Sequence, residues 1–427
     1  MATTAAASSL GPDSGVPKGG ASEALPAATP RFPSSLVALL AGAIFINYFD
    51  RGNLAIAAPQ VQAELGLNNA EMGLLFSAFF WSYAPMQPLA GWLAQRLDVR
   101  WLLAGGLAAW ALATTLTGFA VGFGMILAFR VLLGLGESVA YPCNALLLAR
   151  RVDITGRARA NGLIAAGQAL GPTAGTIVGG LVMERYGWRP AFIAFGIGSL
   201  LWLWPWIAVT RRDVATGTVV APVRYARMLS ERSLWGTSLG HFSGNYAYYF
   251  TLTWLPLLFV KTFGFSLSHM AMVGAGIYAI QSIVAPATGW LCDRLVRRGW
   301  HASPVLKTAI VLGHVGVTAT MAACAGAGPR DSVALLLVSG VFFGLQSAPL
   351  GAISQTLAGP RAAGQWMGIQ NFVANLAGVT APVITGLVVD RTGSFAWAFV
   401  IAAVMTLMGA FAFALVVRRV EPIDWSA

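Results

Sequence analysis

Asn47-Tyr48-Phe49-Asp50-Arg51-Gly52-Asn53-Leu54-Ala55 sets an acid and a base side by side inside a hydrophobic stretch. From Leu36 to Ala58 every other residue is apolar, small or an uncharged Asn or Tyr. A charged side chain near a bilayer centre costs roughly 2.5 to 3.5 kcal/mol even on a lenient insertion scale, so such charges are kept paired and for a purpose. A second couple, Arg130 and Glu137, lies in a later stretch of the same kind. These four are the acids and arginines expected at membrane depth.

Composition supports the bilayer. The 427 residues are 57% hydrophobic and 10% charged, with a mean hydropathy of +0.68, a balance foreign to water-soluble domains. Apolar runs long enough to cross a hydrocarbon core of about 30 Å recur throughout. Twelve helical spans are expected: 34–58, 70–95, 101–121, 123–149, 159–183, 190–210, 235–260, 268–292, 304–327, 332–357, 363–389 and 394–417. The 49 glycines suit close helix packing in lipid.

The net charge of +11 does not signal nucleic acid. With both termini in the cytoplasm, 20 of the 27 Lys and Arg fall on that side, five on the other, and Arg51 and Arg130 within the membrane. That is the positive-inside bias, with Arg150, Arg151, Arg418 and Arg419 among its carriers. Cys143, Cys292 and Cys324 sit in separate spans without ligand spacing, so neither a disulfide framework nor a metal site is expected. Residues 1–32, rich in Ala, Ser, Gly and Pro, read as a disordered cytoplasmic tail, not a signal peptide. No phosphate loop, nucleophile elbow or metal cluster is present in the sequence, so neither an enzyme nor a resident cofactor is expected, protons aside.

The chain echoes itself. Gly91-Trp92-Leu93-Ala94-Gln95-Arg96-Leu97 returns as Gly289-Trp290-Leu291-Cys292-Asp293-Arg294-Leu295, and Gly180-Leu181-Val182-Met183-Glu184-Arg185 as Gly386-Leu387-Val388-Val389-Asp390-Arg391, both roughly two hundred residues later. Two six-helix halves are therefore expected, 33–210 and 235–418, joined by a polar cytoplasmic linker, 211–234, and followed by a short cytoplasmic tail, 419–427. Such a plan places a substrate site near the midplane between the halves.

Depth follows from helix rise. At 1.5 Å per residue, Asp50 lies ~12 Å and Arg130 ~10 Å from the outer face, with Glu137 two turns deeper. This permits Asp50 to pair with Arg130 and leaves Arg51 or Arg130 near Glu137. The cluster is either a static network, which buried ion pairs seldom reward with stability, or a titrating one. In the second case protonation of a carboxylate frees an arginine, whose planar fork suits a substrate carboxylate.

The repeated loop resembles the loop motif of the major facilitator superfamily. The stretch around Asp50, together with Arg130-Val131-Leu132-Leu133-Gly134-Leu135-Gly136-Glu137-Ser138-Val139-Ala140-Tyr141-Pro142, resembles the first- and fourth-helix signatures of its anion:cation symporter branch. That branch includes galactonate, glucarate and hexuronate permeases, sialin and the vesicular glutamate transporters. The resemblance implies that Asp50 and Glu137 carry protons, that Arg51 holds the carboxylate, and that Arg130 supports the ion network. It assigns Tyr48, Tyr83, Gln168, Asn371 and Asn375 to the substrate cavity. In the loop it implies a gate, with Gly91 allowing tight helix contact and Asp293 clamping a neighbouring helix end beside Arg294 and, in the first copy, Arg96. The first copy departs, with Gln95 where the acid belongs and Asp98 where a glycine belongs, so its clamp is expected to be weaker or rebuilt around Asp98.

Other departures bear on substrate. Leu350 and Ser354-Gln355 stand where sugar-acid permeases would carry Trp and Ser-Asp, which brings flatter or more apolar acids, such as aromatic carboxylates, into consideration. Gly167-Gln168-Ala169-Leu170-Gly171-Pro172-Thr173-Ala174-Gly175 fits a pattern associated with drug:proton antiporters, but also any tightly packed membrane helix. Tyr246, Tyr248, Tyr249 and Trp254 are candidates to close over substrate, with Pro256 as a kink; His241 and His314, if within the membrane, are candidate proton relays, but a lone histidine is more often a hydrogen-bonded structural residue, and both are left out of the expected site. The expectation is a monomeric, proton-coupled importer of a small organic anion, a sugar acid or an aromatic carboxylate, in a bacterial inner membrane. The alternatives are a proton-driven exporter and a non-transporting sensor.

Overall fold

In the computed structural model of the protein, the described residues are 33–67, 69–211, 221–259, 263–265 and 267–425. The expected tail 1–32, the linker residues Arg212 and Asp213, and the side chain of Pro256 lie outside them. Among the described residues there is helix and no strand.

The first half comprises α1 (Ser34–Leu65), α2 (Asn69–Arg96), α3 (Val99–Thr117), α4 (Phe123–Glu137), α5 (Ala140–Arg151), α6 (Ile154–Ala174), α7 (Gly180–Tyr186), α8 (Trp188–Leu200) and α9 (Leu203–Thr210). A short α10 (Tyr225–Leu229) precedes α11 (Arg232–Leu257), α12 (Leu267–Arg297), α13 (Ala302–Cys324), α14 (Pro329–Thr392) and α15 (Ala396–Phe411). Several expected spans are composite: α4 runs into α5, α6 reaches α7 through a π-helical turn at Gly175–Gly179, and α8 runs into α9. The order is consistent with twelve spans. Seven of the described helical stretches are long and apolar enough to cross a membrane by length and composition.

The tenth and eleventh expected spans form one stretch, α14, broken only at Gly359-Pro360. Gly359 has φ 63°, a conformation open to glycine at no steric cost, and Pro360 cannot donate to the preceding turn. The carbonyls flanking the break find partners elsewhere: Ile423 N–H donates to the Leu357 oxygen at 2.9 Å and the Trp425 indole to that of Ala358 at 2.8 Å. The short C-terminal stretch is thus docked on the break, with Trp425 9% exposed.

One end of the bundle, here the terminal face, holds the start of α1 and residues 417–425. There the two halves meet through backbone. A Cβ on Gly91 of α2 would come 2.5 Å from the Gly364 oxygen of α14, and one on Gly289 of α12 would come 2.2 Å from the Ala158 oxygen of α6. The described part of the linker crosses the same face: Gln365 exchanges two hydrogen bonds with the Val223 backbone, both 2.9 Å. The glycine run of α6 lies on α1, where Cβ atoms on Gly167 and Gly171 would meet the Ala41 and Phe45 oxygens at 2.5 and 2.7 Å. Cys143, Cys292 and Cys324 are all buried.

Candidate functional site

Asp50 and Arg51 follow one another on α1, so their side chains leave the helix about 100° apart and cannot share a partner on one neighbouring helix. Arg51 takes the α4 side. Its Nε and Nη2 donate to Glu137 Oε2 at 3.1 and 2.8 Å, and Nη2 also donates to Asn47 Oδ1 at 3.0 Å. The guanidinium lies 4.5 Å from the ring centroids of Tyr48 and Phe79 and 4.6 Å from that of Tyr83. In a desolvated setting each such contact is worth up to about 2 kcal/mol. The Arg51 side chain is 13% exposed and that of Glu137 not at all.

Asp50 turns the other way. Its Oδ2 accepts from the Ser199 hydroxyl of α8 at 2.9 Å, and Oδ1 has no hydrogen-bond partner. The pairing with Arg130 that depth alone permits is therefore not formed. Arg130, buried at 6% exposure, donates from Nε to the Leu75 oxygen at 3.4 Å and sits 5.5 Å from the Phe79 ring that Arg51 also uses.

Tyr48 and Tyr83 carry this cluster to a cavity between the halves, which Gln168, Asn371 and Asn375 line as well. Tyr141 joins two of them, its hydroxyl donating to Gln168 Oε1 at 2.6 Å and reaching the Tyr48 hydroxyl at 3.4 Å. Across the cavity Tyr249 donates to Asn375 Oδ1 at 3.2 Å, and Asn375 to the Asn371 oxygen at 2.8 Å. Arg51 and Arg130 are not among the lining residues: Arg51 stands behind Tyr48 and Tyr83. Of the α11 aromatics, Tyr248 and Tyr249 face the cavity, whereas Trp254 packs on Phe395 and Tyr246 is buried in the core beside Phe242.

Sequence reasoning passed over Tyr141, Asn144, Asn161, Gln281 and Gln346, all of which line the cavity. Tyr141 and Asn144 had a readable signal, since they follow Glu137 by one and two helical turns and so continue its face. Asn144 is 2% exposed with both amide atoms unpartnered.

Below the cavity, toward the terminal face, the gate residues differ between copies. Asp293 accepts from the backbone N–H groups of Ala158 and Arg159 at 3.2 and 2.8 Å, holding the second turn of α6 in the other half. Gln95, its counterpart, accepts from Arg150 at 3.3 Å and leaves Nε2 unpartnered. Asp98 does not replace the clamp: it caps its own α3, accepting from Arg100 N–H at 3.0 Å and pairing with the Arg100 guanidinium. Arg96 and Arg294 lie over Trp92 and Trp290, at 4.4 and 4.9 Å. Across the halves, Asn161 of α6 and Gln355 of α14 exchange two hydrogen bonds at 2.9 and 3.0 Å, and Arg157 donates to Thr356 at 3.1 Å.

The chain is similar to known proteins over most of its length. The sequence model described as Major Facilitator Superfamily matches residues 40–382. A hexuronate transporter of Bacillus subtilis is 29% identical, over 92% of this chain and 95% of that one. A D-galactonate transporter of Escherichia coli is 28% identical, over 88% and 94%, and a probable sulfoacetate transporter of Cupriavidus necator 29%, over 86% and 90%. Among solved structures, a human organic anion transporter superposes with a TM-score of 0.75 at 15% identity, over 90% of this chain and all of that one.

Proposed function

The chain belongs to the major facilitator superfamily, and from that premise we propose that it is a proton-coupled symporter that imports a small organic carboxylate by alternating access. It is a multi-pass membrane transporter and not an enzyme. The observation that carries the finer reading is the seat of Arg51, engaged by Glu137 behind two tyrosines of the cavity wall. A proton on Glu137 cancels the charge that holds the guanidinium and frees its fork for a substrate carboxylate. Asp50 has Ser199 and, among the described residues, no cation as partner, so a proton on it removes an unpaired buried charge.

In the cycle, protons reach Asp50 and Glu137 from the outer side, Arg51 takes the substrate, and the halves rock about the midplane site. The contacts at the terminal face then part, and deprotonation discharges the substrate. Twelve spans, a bacterial inner membrane, cytoplasmic termini and a monomer complete the reading. The names of relatives that carry hexuronate, galactonate and sulfoacetate support an acid as substrate, and the tyrosine-rich wall suits a hexonate, a hexuronate or an aromatic carboxylate. The glycine run of α6 is occupied by packing on α1 and lends no support to export.

The test uses proteoliposomes with an internal pH dye, challenged with hexonates, hexuronates, aromatic carboxylates and organic cations. Acidification of the lumen by an acid, lost in Asp50→Asn while exchange persists, supports symport. Uphill accumulation by Asp50→Asn at the wild-type rate overturns the coupling assignment, and alkalinisation on adding a cation makes the protein an antiporter. An acid that stabilises the protein without crossing the membrane makes it a sensor.

A further inference from the structure

The C-terminal half holds a buried base outside the cluster described above. His314 on α13 is 2% exposed, and both its ring nitrogens face main-chain oxygens. Nδ1 lies 2.9 Å from the Ile310 oxygen of its own helix, and Nε2 3.1 Å from the Gly240 oxygen of α11. A carbonyl oxygen only accepts, and a neutral imidazole offers one N–H and one bare lone pair. In either tautomer a lone pair is therefore set against a carbonyl oxygen. Only the imidazolium donates to both, and among the described residues no donor is bonded to either nitrogen.

The ring sits in a slot shaped by missing side chains. A Cβ on Gly409 of α15 would lie 2.4 Å from its Cδ2, and one on Gly244 of α11 would lie 3.5 Å from its Nε2. Phe413 flanks it at 5.4 Å. The same histidine lines the cavity, together with His241, Gly244 and Gln346. The ring therefore borders the cavity and is screened from it by its two carbonyl partners.

We propose that His314 is a further proton-binding site beside Asp50 and Glu137, lodged in the C-terminal half, which holds an imidazolium cation in the conformation with the terminal face closed. The proton comes from cavity water and is donated along Nε2–H to α11 while Nδ1–H stays on α13. Its return to cavity water leaves one nitrogen bare and cuts one of the two ties. Of the titratable groups packed near the ring, His241 comes from α11. Lys307, two turns away on α13, is engaged with the Ala414 and Val417 oxygens at 3.1 and 2.8 Å. From α14 comes the neutral Gln346, and from α15 and the turn beyond it Gly409 and Phe413. No acid among the described residues is bonded to the imidazole, so its charge is left for the cavity. There it complements an anion held at Arg51 across the halves. That last role rests on the transport reading; the proton site itself stands on the geometry.

The experiment is nitrogen NMR on the full protein labelled with 15N-histidine. The chain has four histidines, His241, His269, His301 and His314, and loss of one signal in His314→Asn assigns the residue. If that variant does not fold, His241→Asn, His269→Asn and His301→Asn assign it by elimination. At neutral pH His314 is expected to carry hydrogen on both nitrogens, as the two carbonyl partners require. One N–H and one bare nitrogen at that pH overturns the proposal. A second arm follows binding of a hexuronate in His314→Gln, expected to weaken about tenfold with a flattened pH profile; wild-type affinity and profile overturn the role of the imidazolium toward a bound anion. If no acid is bound or moved by the wild type, the transport reading fails, while the NMR result still decides the protonation of His314.

Discussion

At the scale of single residues, the fully buried pair and the half-buried pair behave differently. Arg51→Ala strands Glu137 without its cation, and removing one partner of a buried pair costs about 3–5 kcal/mol. The double variant Arg51→Ala/Glu137→Gln is expected to recover most of that loss, measured as thermal stability in a double-mutant cycle. Asp98 lies outside the membrane spans, and the Arg100 side chain holds its carboxyl below the usual range. Its folded value is depressed, so its contribution is full above the ordinary value of about 3.9 and is lost as pH falls through the folded one. Asp98→Asn is accordingly expected to lower the melting temperature at neutral pH and to match the wild type in strong acid. The charged residues of the site were legible in the sequence because a charge in an apolar run stands out. Their pairing was not, because depth says nothing about which way a side chain leaves its helix, and Asp50 went to Ser199 on a helix no motif pointed to.

At the scale of elements, the two halves meet through glycine and through a carboxylate on backbone N–H groups. Gly91→Leu sets a side chain against the Gly364 oxygen, where even a Cβ would sit at 2.5 Å. The terminal face is expected to stay parted in this variant, read as labelling of a cysteine placed at Ala158 by a thiol reagent supplied from that side. Asp293→Asn leaves one acceptor oxygen for the two N–H groups of α6, and the loss of one hydrogen bond costs about 1 kcal/mol, or about fivefold in an equilibrium. The same cysteine is then expected to label about fivefold faster. Gln95→Glu gives Arg150, a residue of the same half, a charged acceptor in place of a neutral one, and is expected to leave the labelling rate unchanged. The departure at Gln95 was visible in the sequence; that Asp98 would serve its own α3 was not, since an N-cap and a clamp use the same residue type. The sequence likewise placed a gap between the tenth and eleventh spans, where the chain needed only Gly359 and Pro360 to reverse.

At the scale of the molecule, hydropathy and the internal echo were enough to anticipate a helical membrane transporter, because lipid leaves the backbone few alternatives to helix. The cavity was less legible: its wall is built from polar residues scattered one or two per helix, and only the packing of both halves shows that Tyr141, Asn161 and Gln281 face the same space. The burial of all three cysteines has a further consequence, for spectroscopy. A maleimide added to the folded protein finds no ready native thiol, and the expected stoichiometry is near zero before denaturation and three afterwards. Fluorophores coupled to two introduced cysteines, one on each half, would then report the distance between those two points alone, and the rocking of single molecules could be followed against a dark background without first removing any native side chain.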